Sequence, residues 1–307
     1  MGLLKMNDDV SKILIISEGE DPEKYFIQSM QKCFFPDDDL IFANLYIYET
    51  SIYDLHKNIT DFVCQRKLES FEDDKTRVTI AVLKERINKS LKKRKVQPSE
   101  NDKKLLGISA NKISEIYLFF DADLHNGLKE NLLSEGNKKI LSNNLKKLSK
   151  MIDFFSEEME YGKLYISYPM VEALWDLSKF NNCGSRCCTD ILLKVDYKKD
   201  VRQKQKDFLR IENFNKDVWD FFCSNAILKG NCVINNSYTK CDYKKGITDL
   251  TQKNIFEKEQ LLVLEGKVYV LSGFPFFLLE YHKEEYWNNL EVPSGYKLEK
   301  AEVCPLK

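Results

Sequence analysis

Four short apolar runs alternate with amphipathic helical ones along the first 180 residues, and that alternation constrains the fold more than any other feature. "KILIISEGE" (12–20) is a buried strand that turns abruptly to acid and glycine. "DPEKYFIQSMQKCF" follows as a helix, with Asp21 placed to cap it, Pro22 at its first position and Glu23 in its first turn. "LIFANLYIYE" (40–49) predicts a second strand and "TSIYDLHKNITDFV" a capped helix, while "KLYISYP" (163–169) and "MVEALWDLSKF" repeat the unit. Strand–helix repetition of this kind predicts an α/β fold, a mostly parallel sheet with helices on its faces.

The third strand, "IYLFFDADLH" (116–125), carries the chemistry. Five apolar residues run directly into Asp121 and Asp123. Ligands of open parallel sheets gather beyond the carboxyl ends of the strands. Three strands here end near acids: the first at Glu18-Gly19, the third at Asp121 and Asp123, and the fourth a few residues before Glu172. Crowded carboxylates repel one another and lose hydration, so they rise in pKa or take up a cation. If the chain stays extended, positions i and i+2 face one way, and Asp121 and Asp123 reach one ion together. Hard oxygen donors suit Mg²⁺ or Mn²⁺.

The set "ILIISEGEDPEKYF" with "IYLFFDADLH" resembles the TOPRIM domain of primases, topoisomerases and overcoming-lysogenization-defect nucleases. The resemblance spans roughly residues 10–180 and implies a Rossmann-like fold, with a glutamate and glycine after the first strand and Asp-x-Asp after a later one. Glu18, Gly19, Asp121 and Asp123 match in type and order. The nuclease branch often has a second glutamate four residues after the first; Pro22 stands there, with Glu23 next, and Glu172 in "YPMVEAL" is similar to a further family glutamate. The layout is most similar to the TOPRIM effectors of bacterial anti-phage systems of the PARIS type, which act with a separate ATPase and target transfer RNA. That likeness implies a Mg²⁺-dependent endonuclease. Its catalytic residues would be Glu18, Asp121 and Asp123, its metal ligands these three with Glu172 and Glu23, and its regulation release from the ATPase. His125, two residues past the aspartate pair, is a candidate to orient a phosphate or protonate a leaving group, the other reading being a polar loop residue.

Phosphate-rich substrates need positive charge. "LKERINKSLKKRK" (83–95) supplies Lys84, Arg86, Lys89, Lys92, Lys93, Arg94 and Lys95, read as a basic helix within an insertion (65–114) and followed by a loop. Ile87 and Leu91 would dock that helix with its charges outward. A second, diluted group comprises Lys198, Lys199, Arg202, Lys204, Lys206 and Arg210. The expected division is a catalytic domain over 1–180 and a mainly helical domain over 181–307 for partner or substrate. Within the latter, "QLLVLEGKVYVLSGFPFFLLEYH" reads as two strands or a strand and a helix, and "GFPFFLL" as core or a homodimer face.

Other readings stay open. A DNA endonuclease of the same fold would use the same acids. A glycosyltransferase holds Mn²⁺ and a nucleotide sugar with an Asp-Ala-Asp at a strand end, but that leaves Glu18-Gly19 without a role. A TOPRIM-like scaffold would bind an ATPase or nucleic acid without cutting. A haloacid-dehalogenase phosphatase fits poorly, because its Asp-x-Asp follows an N-terminal strand. The nine cysteines include no CxxC pair, so thiols are expected rather than zinc ligands. With no run of the ~20 apolar residues that span a bilayer and no apolar leader in "MGLLKMNDDV", the expected location is the cytoplasm.

Overall fold

The computed structural model describes residues 12–19, 22–35, 40–48, 50–65, 75–124, 127–128, 134–177, 188–190, 197, 201 and 214–291. Strands β1 (Lys12–Ser17), β2 (Leu40–Asn44), β3 (Ile113–Asp121), β4 (Ser156–Glu157) and β5 (Gly162–Ser167) form one sheet in the order β2-β1-β3-β5-β4. The first four in that order are parallel, and only β4 at the edge is antiparallel. The expected α/β architecture with a mostly parallel sheet is therefore present. Near-continuous apolar strands suit it, because both faces are covered.

One face is built on aromatic rings. Phe119 of β3 stacks on Phe274 of a helix over Gly273–Tyr281, with centroids 4.4 Å apart and planes 6° apart. Tyr117 and Tyr165 meet Phe277 of the same helix. Phe26, on the helix α1 (Glu23–Phe34), packs against Phe274 and Trp219 beside them. The alternate residues Ile116, Leu118 and Phe120 are buried on the other side. There α2 (Ile52–Gln65) packs against α3 (Lys75–Arg94), and α3 against β3.

The sequence pattern misplaced several boundaries. β2 stops at Asn44 because the chain turns across the end of β1: Leu45 N–H donates to Ser17 O and Tyr46 N–H to Glu18 O, and a 3₁₀ turn follows over Tyr46–Tyr48. α1 starts at Glu23 with Pro22 in the capping position and no side-chain cap; Asp21 lies outside the described residues. α3 begins at Lys75, well before the expected basic helix, and buries Val78, Ile80, Val82, Leu83, Ile87 and Leu91 in the main core. The expected loop after it contains α4 (Glu100–Gly107). Ser99 and Asp102 start this helix by exchanging side-chain-to-backbone hydrogen bonds, which satisfies its orphan donors.

Beyond α5 (Glu135–Phe154) and the single turn α6 (Ala173–Asp176), the chain is mainly helical. A short strand, β6 (Cys188–Asp190), pairs with β7 (Lys267–Tyr269). Helices α7 (Lys216–Asn235), α8 (Tyr243–Asp249), α9 (Gln252–Leu264), α10 (Gly273–Tyr281) and α11 (Lys283–Asn289) complete the described part. "GFPFFLL" is core: Phe274, Phe276, Phe277, Leu278 and Leu279 are all buried, and one apolar cluster runs from β1 to α11. No described helix is long and apolar enough to cross a membrane. Cys33, Cys64, Cys188, Cys223 and Cys241 are free, but Cys232 is disulfide-bonded, so the expectation of thiols throughout fails there.

Candidate functional site

Register brings the acids to one end of the sheet. Ser17 aligns with Phe119 across β1 and β3, so Glu18 leaves β1 beside the end of β3, where Asp121 aligns with Ser167 of β5. Neighbouring strands lie about 4.8 Å apart, so residues more than 100 positions apart in sequence become lateral neighbours.

The loop after β1 is held by three hydrogen bonds. Asn44 Nδ2 donates to Gly19 O at 2.5 Å, Ser17 Oγ donates to the same carbonyl at 3.2 Å, and Tyr46 N–H donates to Glu18 O at 3.0 Å. Gly19 is closely approached by the end of the Glu23 side chain. A Cβ there would stand 2.1 Å from Glu23 Oε1 and 2.6 Å from its Cδ. The Glu23 carboxylate, on a residue only 7% exposed, therefore lies directly against the backbone that follows Glu18.

The two aspartates diverge. Asp121 ends β3, and its Oδ1 accepts from Val171 N–H at 2.7 Å, which ties it to the segment carrying the fully buried Glu172. Asp123 has φ +47°, in the left-handed region that Asp tolerates better than most residues. The extended geometry that would aim both carboxylates one way ends before Asp123, so the simple i, i+2 argument does not apply.

Asp123 instead shares an environment with Glu18. Tyr53, in the first turn of α2, has its hydroxyl pushed up to about 12, first by burial and then by the negative charges of Glu18 and Asp123. The phenol thus stays protonated at neutral pH and is a hydrogen-bond donor beside two carboxylates. In the sequence Tyr53 carries no signal beyond its place in the first turn of a helix that follows a strand end.

The acids differ in what they can do for a cation. Their oxygen donors suit a hard divalent ion; Asp121 ends β3, Glu18, Asp123 and Glu172 follow β1, β3 and β5, and Glu23 opens α1. Among the described residues, however, no group of three or more His, Cys, Asp or Glu side chains is close enough to hold a metal ion. His125 and the basic group from Lys198 to Arg210 lie outside the described residues.

The basic helix divides in two. Lys84 turns inward, its amine donating to Ile108 O, Arg86 is half-buried, and Lys89 pairs with Glu85 at 2.8 Å. Lys92, Lys93, Arg94 and Lys95 are exposed at the C-terminal end, where the helix dipole favours cations. Ser90 Oγ donates to Ile47 O at 3.3 Å, which fixes that end against the Tyr46–Tyr48 turn. A separate cavity of about 440 Å³, lined by Lys163, Tyr165, Gln252, Glu280 and Trp287 among others, is lined by none of these acids. Comparison of the chain with family models, with curated proteins and with solved structures found no match.

Proposed function

We propose that the chain is a TOPRIM-like, Mg²⁺-dependent endonuclease that hydrolyses phosphodiester bonds of RNA, with transfer RNA as the favoured substrate. In this reading it is a toxin-like effector of anti-phage defence in the cytoplasm, held in check by an ATPase partner. The observation that carries the reading is the register that brings Glu18, just past β1, beside the end of β3, where Asp121 ends the strand at the carboxyl end of a parallel sheet.

Glu18, Asp121 and Asp123 would be the cation's ligands, with Glu23 and Glu172 behind them; no three of them stand close enough to hold an ion as placed, so binding has to draw them together. A divalent ion held there would supply charge neutralisation at a phosphate oxygen and a water of lowered pKa. Glu18 accepts the proton of the attacking water, a role suited to a carboxylate crowded by others. Tyr53 O–H donates to a phosphate oxygen. Asp121 is fixed at the end of its strand by the hydrogen bond from Val171 N–H. The same bond supports a second reading, a TOPRIM-like scaffold that binds without cutting, because it already occupies one oxygen of the central acid.

The test is Mg²⁺-dependent cleavage of total transfer RNA by the purified full chain, set against Glu18→Gln and Asp121→Asn, with a DNA duplex in parallel. The reading predicts RNA cleavage that both substitutions abolish while the thermal midpoint is kept. Undiminished cutting by both variants rejects it, and metal-independent binding without cutting favours the scaffold.

A further inference from the structure

Three large side chains that a core would normally claim are at least a third exposed: Tyr25 at 36% and Tyr53 at 36%, near the starts of α1 and α2, and Tyr46 at 66%, on the turn after β2. Tyr46 has the most telling position. Its N–H is bonded to Glu18 O, and the carbonyl of the next residue, Ile47, accepts from Ser90. One three-residue turn therefore links the acid on β1 to the helix end that carries Lys92, Lys93, Arg94 and Lys95. The hydrogen bonds run from Glu18 O through Tyr46 and Ile47 to Ser90, and Lys92 lies two residues further along the helix, about 3 Å of rise.

Resting on the nuclease reading, we infer that Tyr46 is a stacking platform for an unpaired base of the strand whose phosphate lies at the acids. The exposed cations at the end of α3 would take the phosphates on the far side. The inference names the substrate class more narrowly: single-stranded nucleic acid, or a loop with splayed bases, rather than a duplex. Three physical points favour that occupant. A base offers a flat π-face to a ring, whatever its identity. Phosphates are drawn to clustered lysine and arginine. In a duplex the bases are stacked on one another and unavailable to the ring. Tyr53, whose hydroxyl feels the charges of Glu18 and Asp123, is left for the phosphate.

The experiment measures fluorescence anisotropy of labelled twelve-residue oligonucleotides with the full chain in EDTA, so that binding is read without cleavage. The probes are a single-stranded RNA, the same RNA with one abasic position walked along it, its DNA counterpart and an RNA duplex. Tyr46→Ala should weaken single-strand binding by about 5- to 150-fold, the span of one base–aromatic stack. Tyr46→Trp should restore it, and an abasic position at the stacked residue should remove the difference between wild type and Tyr46→Ala. Duplex binding should not respond. The DNA probe tells whether the sugar matters.

Equal binding by wild type, Tyr46→Ala and Tyr46→Trp overturns the inference, as does absence of single-strand binding in wild type. Failure of the nuclease reading is separate. It appears as Tyr46-dependent binding with no Mg²⁺-dependent cleavage, whereas cleavage without Tyr46 dependence discards the platform alone.

Discussion

The contact between Gly19 and Glu23 supplies the sharpest prediction, because it should reverse the sign of a mutation. Gly19 does not occupy the left-handed region, so its backbone accepts alanine without strain. On that ground alone Gly19→Ala would stabilise the fold by about 0.4–1 kcal/mol, through a less flexible unfolded chain. The new methyl would meet Glu23 Oε1 at 2.1 Å, however, and carbon–oxygen contacts of that length do not exist. The carboxylate must retreat by more than about 1 Å to restore an ordinary separation. Glu23 is buried, so that retreat disturbs packed surroundings and should cost about 1–3 kcal/mol. In the wild-type background Gly19→Ala should therefore destabilise, and in a Glu23→Ala background it should stabilise. The assay is urea unfolding of wild type, both single variants and the double variant, followed by circular dichroism. A coupling near zero, or destabilisation of equal size in both backgrounds, would refute the placement of Glu23 against this loop. If the nuclease reading also holds, Gly19→Ala should lower cleavage by about 100-fold, since an ångström of misplacement can cost that much.

Three further outcomes follow from the core. Glu259 is fully buried; burial raises its pKa well above the ordinary carboxyl value, against the opposing hydrogen bond from Tyr269 N–H, so it is neutral when folded and ionised when unfolded near neutrality. That penalty grows as pH rises through the unfolded pKa and above, so Glu259→Gln should be more stable than wild type at pH 8, with the gap closing toward pH 4; an equal gap at both would contradict the assignment. Asp102 behaves oppositely: burial works to raise its pKa, but hydrogen bonds from Tyr48 at 2.7 Å and from Ser99 outweigh it and leave it lowered. Its stabilisation is present above the unfolded pKa and lost as pH falls through the folded one. Tyr48→Phe should therefore move the acid unfolding limb to higher pH and cost about 1.5–3 kcal/mol at pH 7, read by denaturant melts. Phe274→Ala removes the ring stacked on Phe119 and should cost about 3–5 kcal/mol in the same assay.

The parallel sheet and the end of it that carries the acids were legible in the sequence because both depend on periodicity and on strand order. Apolar runs followed by acids mark strand ends, and parallel pairing puts those ends side by side. What could not be read was direction at the level of single side chains. The left-handed backbone at Asp123 has no sequence signal, since Asp and Ala are compatible with an extended continuation. The inward turn of Lys84 depends on where Ile108 returns after α4, which is a tertiary matter. Tyr53 sits in an amphipathic helix where a tyrosine ordinarily means packing. Two signals were present and passed over. Ser99 with Asp102 three residues later marks a helix start, and Glu23 lies one turn beyond Gly19, close enough to approach the glycine.

The most direct measurement is a calorimetric titration of Mn²⁺ into the wild-type chain and into Glu18→Gln and Asp123→Asn, with folding verified for each. If side chains from β1 and from the turn after β3 act on one ion, wild type binds and each single substitution weakens binding by about tenfold or more. Unchanged binding in both variants, or none in wild type, would mean that the carboxylates whose charges act on Tyr53 are neighbours without a common ligand.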